Sequence, residues 1–148
     1  MSAAPARVSE SRLLVRYAET DKMGVAYHGS YLPWFEVGRT DWLRNGPERC
    51  YRRLEAAGWF LPVVELNARY HSPARYDDEV LIRTTLAEVS RARFCFDYEC
   101  RTAGGELLAS GRTVHAVTDG SGRPRRLPPE VFAWILGERD EIPAALDA

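Results

Sequence analysis

The residues best suited to chemistry stand close together near the start of the chain. They fall in the segment Glu19-Thr-Asp-Lys-Met-Gly-Val-Ala-Tyr-His-Gly-Ser-Tyr. Asp21 sits in a polar, glycine-containing stretch, and His28, Gly29 and Ser30 stand where a helix should begin. A helix start leaves backbone N–H groups without intrahelical partners and carries the positive end of the helix dipole. Such a terminus can bind an anion or stabilise an oxygen on which negative charge develops. A carboxylate beside it could activate water or attack a carbonyl directly. Together these groups would make a small acyl-transfer site. The same residues also have structural uses. Asp21 can cap a turn, Ser30 is a good N-cap, and His28 can be an ordinary loop histidine. Other chemistries lack their motifs. There is no Gly-x-Ser-x-Gly elbow, no phosphate loop and no Gly-x-Gly-x-x-Gly fingerprint. His28, His71 and His115 are far apart and without paired ligands, so no metal site is expected.

The surrounding elements follow from periodicity. Leu13, Val15 and Tyr17 alternate with Leu14, Arg16 and Ala18, which predicts a strand starting there. Glu19 to Gly29 reads as a loop. Tyr31, Trp34, Phe35, Gly38 and Trp42 then recur at helical spacing. Leu32, Val37 and Leu43 lie outside that stripe, so the helix is expected to be apolar round most of its circumference and buried. Gly38 costs about 1 kcal/mol of helix propensity, tolerable where a backbone must approach closely. Asn45-Gly46-Pro47 should end this helix, and a short helix should follow from Pro47 to Ala57. From Pro62 the period changes to two. Strands are expected around Val64–Tyr70, Val80–Leu86, Phe94–Arg101 and Glu106–Thr118, joined by tight turns including Gly104-Gly105. Pro128 and Pro129 open a last short helix with Trp134. Consecutive strands with short links are antiparallel. The pattern predicts an α+β fold: an antiparallel sheet of about five strands wrapped round one long buried helix.

The chain's 148 residues suit one domain. Residues 1–10 and 138–148 read as loose tails around a single domain at 11–137. A 45% hydrophobic and 28% charged composition is that of a folded globular protein. The net charge of -1 offers no general pull towards nucleic acid or an anionic membrane. No apolar run approaches the ~20 residues of a membrane span. Residues 1–7 hold no apolar stretch of the kind a secretory leader needs. Cys50, Cys95 and Cys100 have no metal-like spacing, so reduced structural thiols and a cytoplasmic location are expected.

Asp21, Gly24, Tyr27-His28, Tyr31, Glu36 and Arg39 hold a further pattern: an Asp, a Gly, Tyr-His, then a helix with Tyr-x-x-x-x-Glu-x-x-Arg. With Tyr70-x-x-Pro-Ala-Arg-Tyr-Asp-Asp and Ser90-Arg-Ala-Arg-Phe, it resembles the hotdog-fold acyl-CoA thioesterases of the 4-hydroxybenzoyl-CoA thioesterase type. The likeness runs over about residues 11–120 and is nearest the small branch associated with the bacterial Tol–Pal cluster. The resemblance implies that Asp21 is the catalytic carboxylate, as general base or nucleophile. It implies that backbone N–H near His28 polarises the thioester carbonyl, with the His28 side chain orienting substrate or water or assisting the thiolate. Tyr27, Gly29 and Tyr31 would bind substrate or pack beside it. Glu36 is the rival carboxylate, because a related branch carries its acid on this helix. Arg91 and Arg93 would meet the coenzyme's phosphates, with Arg69, Arg75 and Lys22 as weaker candidates. No cofactor is implied, since coenzyme A belongs to the substrate. A homodimer or homotetramer is implied, with active sites drawing on two chains. Acyl carrier protein as thioester carrier and a non-catalytic acyl-CoA-binding module are the alternatives. Met23 departs from the small residues common in the branch and would reshape the acyl pocket. The four tryptophans are expected to pack rather than touch ligand.

Overall fold

In the computed structural model, which describes residues 2–3, 7–44 and 50–146, every strand pairing is antiparallel. β1 (Ser2–Ala3) and β2 (Val8–Leu14) share one side of β4 (Glu79–Ser90). Next come β5 (Arg93–Thr102), β6 (Leu107–Ala116) and finally β3 (Val63–Tyr70) at the far edge. Five strand positions thus form one sheet, with α1 (Tyr31–Arg44) packed on it. α2 (Cys50–Ala56) and α3 (Pro129–Ile135) complete the fold.

The stripe read from the sequence forms the contact. Trp34, Phe35 and Trp42 are almost wholly buried, and Phe35 stacks on Tyr98 with ring centroids 4.5 Å apart. Fully burying one such side chain contributes about 1.5–3 kcal/mol. Gly38 marks the closest approach of helix to sheet. A Cβ there would collide with Thr84 Oγ1 and stand 2.9 Å from Ile82 Cγ2. All four tryptophans and all three cysteines are buried, and the thiols are free.

Several boundaries differ from expectation. The strand read near Leu13 is β2, Val8–Leu14, which starts inside the segment read as a tail. Its inward residues are Ser9 and Ser11, so an apolar alternation never develops there. Ser11 Oγ instead donates to Asp41 Oδ2 of α1 at 2.7 Å. Tyr17 leaves the strand altogether and lies 79% exposed in a short 3-10 turn, Tyr17–Glu19. α1 is not buried all round: Leu32 and Val37 are exposed on its outer side. α2 begins at Cys50, and the Asn45-Gly46-Pro47 stop lies outside the described residues. Ala144–Leu146 form a 3-10 turn that buries Leu146, so this part of the segment read as a tail packs on the body. β3 carries Val64, Leu66 and Tyr70 exposed along an edge with no strand beyond it among the described residues.

Candidate active site

Asp21 is placed by a tight turn. Its Oδ1 accepts N–H bonds from Met23 at 2.8 Å and Val25 at 3.5 Å. Its own N–H donates to the Val25 carbonyl at 2.9 Å, and a Thr20–Ala26 bridge closes the turn. Gly24 supplies the left-handed residue the turn requires, at φ 81°. The carboxylate is therefore half in use. Oδ1 fixes the turn, while Oδ2 makes no hydrogen bond among the described residues.

The turn is locked to the helix by Glu19, which sequence reasoning left in the loop without a role. Glu19 is 8% exposed. Its Oε1 accepts the Arg16 N–H at 2.8 Å, and Oε2 accepts Trp34 Nε1–H at 2.7 Å. Its backbone carbonyl accepts the Tyr27 N–H at 2.8 Å and the Ser30 hydroxyl at 2.9 Å. Burial would raise the Glu19 carboxyl, but the bonds from Arg16 and Trp34 outweigh it and hold the group below its ordinary value. The one available signal was its position three residues after Arg16, the spacing of a reciprocal cap.

The helix starts as a 3-10 turn, His28–Ser30, that runs directly into α1. Ser30 N–H folds back to the Tyr27 carbonyl at 2.9 Å. The N–H groups of His28 and Gly29 have no acceptor among the described residues. They form the open positive end of a helix 14 residues long beyond the turn. Ser30 spends its hydroxyl on Glu19 rather than capping the helix.

An open cleft of about 350 Å³ brings Asp21, His28 and Tyr31 together with Tyr70, His71 and Ser72. Tyr70 ends β3 and His71 follows it, and neither was read as a site residue. Tyr70 hydroxyl donates to the His28 carbonyl at 2.8 Å, tying the strand end to the helix start. Its ring also meets Tyr31 edge-on at 5.3 Å. His71 Nε2 and Ser110 Oγ are 3.0 Å apart. Tyr31 is buried against Trp34, and burial pushes its hydroxyl up to about 12, so it stays protonated. The Tyr27 ring covers the His28 imidazole at 4.1 Å between centroids. Gly29 keeps room for that ring, since a Cβ would stand 2.8 Å from it.

Other predicted residues lie elsewhere in the chain. Glu36 is on the helix eight residues beyond His28, with its side chain 70% exposed and 3.9 Å from Arg39. Arg91 Nε donates to the Leu127 carbonyl at 2.7 Å. Arg93 pairs across the sheet with Ala116, and Tyr70 with Ala109. Those partners are seven residues apart on β6, which separates Arg93 from the cleft by about 23 Å along the strands. Arg91 and Arg93 therefore do not join Asp21 within one chain. Met23 is 82% exposed and does not line this cleft within one chain. Among the described residues no three His, Cys, Asp or Glu side chains gather as a metal site. No described helix is long and apolar enough to cross a membrane.

Comparison with known proteins gives the family and the fold. Residues 15–135 match the thioesterase-like superfamily. The acyl-CoA thioesterase YbgC of Haemophilus influenzae is 35% identical over 121 residues, covering 80% of this chain and 88% of that protein. Among solved structures, TT1821 from Thermus thermophilus superposes with a TM-score of 0.80 at 41% identity, over 86% of this chain and 96% of that one. The DHNA-CoA thioesterase of Staphylococcus aureus superposes with a TM-score of 0.75 at 38% identity, over 81% of this chain and 80% of that one. The chain belongs to the thioesterase-like superfamily, and its sheet wrapped on α1 is the hotdog fold.

Proposed function

We propose that this protein hydrolyses the thioester of an acyl- or aryl-coenzyme A to the free acid and coenzyme A, with Asp21 as its catalytic carboxylate. The observation that carries the reading is the unspent Asp21 Oδ2 in the same cleft as a helix start whose His28 and Gly29 N–H groups are open. Family membership and relatives named as acyl-CoA thioesterases support the reaction class. The Asp21-to-Arg39 block is what supports reading the chain as nearest the Tol–Pal-associated branch.

The carbonyl oxygen of the substrate would accept the open N–H bonds, which strengthen as it becomes an oxyanion. Asp21 then acts in one of two ways. As general base it takes a proton from water while the water oxygen bonds to the carbonyl carbon. The C–S bond breaks, and the proton passes to the departing thiolate. As nucleophile it forms a mixed anhydride with loss of thiolate, and water hydrolyses that anhydride to regenerate the carboxylate. The thioester is already activated, so one carboxylate and one oxyanion-stabilising terminus suffice. Neither route needs a cofactor. The His28 imidazole, held by Tyr27, is suited to orient substrate or water. Asp21 is preferred to Glu36 because Glu36 is remote from the open N–H groups and faces solvent.

The active form is a homodimer or a dimer of dimers joined along the open β3 edge. Two β3 strands paired antiparallel about a two-fold axis set the partner's Val63 end opposite this chain's Tyr70. The partner's Arg91–Arg93 end then lies towards this chain's cleft, where basic side chains would meet the coenzyme's phosphates. Three thiols without a disulfide suit a cytoplasmic enzyme.

Release of free thiol from short aliphatic, long aliphatic, benzoyl and hydroxyaryl coenzyme A esters tests the reaction. Hydrolysis of at least one class is expected. Hydrolysis only when the acyl group is carried on acyl carrier protein would move the same chemistry to that substrate. No hydrolysis in either form would leave a binding module and overturn the proposal.

A further inference from the structure

The open N–H groups at the start of α1 belong to two peptide groups, and the carbonyl end of each is engaged. The first peptide carries the His28 N–H, and its Tyr27 carbonyl accepts the Ser30 N–H at 2.9 Å. The second carries the Gly29 N–H, and its His28 carbonyl accepts the Tyr70 hydroxyl at 2.8 Å. A trans peptide sets its C=O and N–H on opposite sides, joined through one delocalised C–N bond. A donor on the carbonyl therefore leaves the N–H free. It also draws electron density towards the oxygen and makes the N–H more positive. Polarisation of this kind strengthens the next hydrogen bond in a chain by about 10–30%.

The fold holds Tyr70 in place for this contact. Donor and acceptor are 42 residues apart in sequence, so only the sheet brings them together. Tyr70 is the last residue of β3 and pairs with Ala109 of β6. Just beyond it, the His71 N–H donates to the Leu108 carbonyl at 2.8 Å and anchors the strand end. The Tyr70 ring meets Tyr31 at 5.3 Å and His28 at 6.4 Å, edge-on in both cases. Burial, and then the neighbouring Tyr27, hold the Tyr70 hydroxyl above its ordinary value, so it stays a donor. A donor fixed in this way acts without the reorganisation a water in its place would need.

We infer that Tyr70 is a positioning residue for the oxyanion: its hydroxyl orients and polarises the peptide between His28 and Gly29, so that the Gly29 N–H stabilises charge developing on the substrate's carbonyl oxygen. The inference rests on the function proposed above. Tyr70 acts through the peptide and not on the substrate. Its effect grows with the charge on that oxygen, so it belongs to kcat and not to KM.

Tyr70→Phe removes the hydroxyl and keeps the ring between Tyr31 and His28. On the ester that the full-length wild type hydrolyses fastest, the variant should lose about two- to eightfold in kcat, with KM and melting temperature close to wild type. Without substrate, the Gly29 amide proton of the ¹⁵N-labelled variant should move upfield, because its peptide has lost a donor. The His28 amide, whose peptide keeps the Ser30 bond, should move less. Tyr70→3-fluorotyrosine, which restores a hydroxyl donor, should recover both kcat and the Gly29 resonance. A structural tie alone would lower the melting temperature and leave kcat of the folded variant unchanged. Unchanged kcat in folded Tyr70→Phe, a rise in KM alone, or an unmoved Gly29 amide would each overturn the inference. If the wild type hydrolyses no ester, the proposed function fails and the oxyanion role with it. The Gly29 amide then still separates the two failures: a shift shows the polarised peptide without the reaction, and no shift overturns the polarisation itself.

Discussion

At the residue scale, the site divides work between two carboxylates. Asp21 holds a turn with one oxygen and presents the other, while Glu19 is wholly absorbed in joining that turn to Trp34 and the helix start. Glu19→Gln keeps the shape but loses the charge that Arg16 and Trp34 address. It should lower hydrolysis by loosening the loop while leaving a folded protein. Unchanged kcat/KM in this variant would remove Glu19 from the positioning role. His115 gives a pH prediction. Burial pushes its imidazole down from 6.5 to about 4, so the unfolded chain gains the proton first on acidification. Folding stability is therefore full above about pH 6.5 and is lost as pH falls towards 4. Urea midpoints across that window should drop in the wild type and drop less in a folded His115→Gln variant. Equal slopes would contradict the buried neutral ring.

At the element scale, α1 sets the geometry of everything else. Gly38→Ala gains about 1 kcal/mol of helix propensity but drives a methyl into Thr84 and Ile82. Overpacking costs about 1–3 kcal/mol, so a net loss of stability is expected in urea unfolding, and a stabilised variant would show the contact to be soft. This helix and its Gly38 were legible in the sequence because large apolar residues follow Tyr31 at 3, 4 and 11, with Gly38 in the same stripe at 7. The strands after Pro62 were legible because apolar residues alternate. β2 was not, because its inward positions are Ser9 and Ser11, and a serine bonded to Asp41 carries no hydrophobic signal. The outer side of α1 was misjudged for the opposite reason. Leu32 and Val37 are apolar, but both are exposed among the described residues of one chain.

At the scale of the whole molecule, the chain leaves an exposed edge. β3 presents Val64 and Leu66 to solvent, which a lone chain ordinarily avoids. Asp21 and His28 were readable because they are near in sequence. Tyr70 and His71 were not, since only the sheet register carries the end of β3 to the helix start. Arg91 and Arg93 are remote from the cleft within one chain, and the proposed dimer would bring the partner's pair towards it. Mixing is a direct check. Asp21→Asn chains and chains carrying Arg91→Glu with Arg93→Glu should each be weak alone. After joint refolding, hybrid dimers hold one intact site, and activity should recover to about a quarter of wild type. No recovery, with hybrids demonstrated by native mass spectrometry, would show that the arginines act within one chain or not at all.

The most direct test of the account is thiol release by wild type and Asp21→Asn side by side on the ester the wild type hydrolyses fastest. The variant keeps the turn, because an amide oxygen still accepts the Met23 N–H, so its melting temperature should stay close to wild type. The expected result is a loss of kcat of at least about 10²-fold with that fold intact. A folded Asp21→Asn protein hydrolysing at the wild-type rate would contradict the assignment and return the catalytic carboxylate to Glu36 or elsewhere.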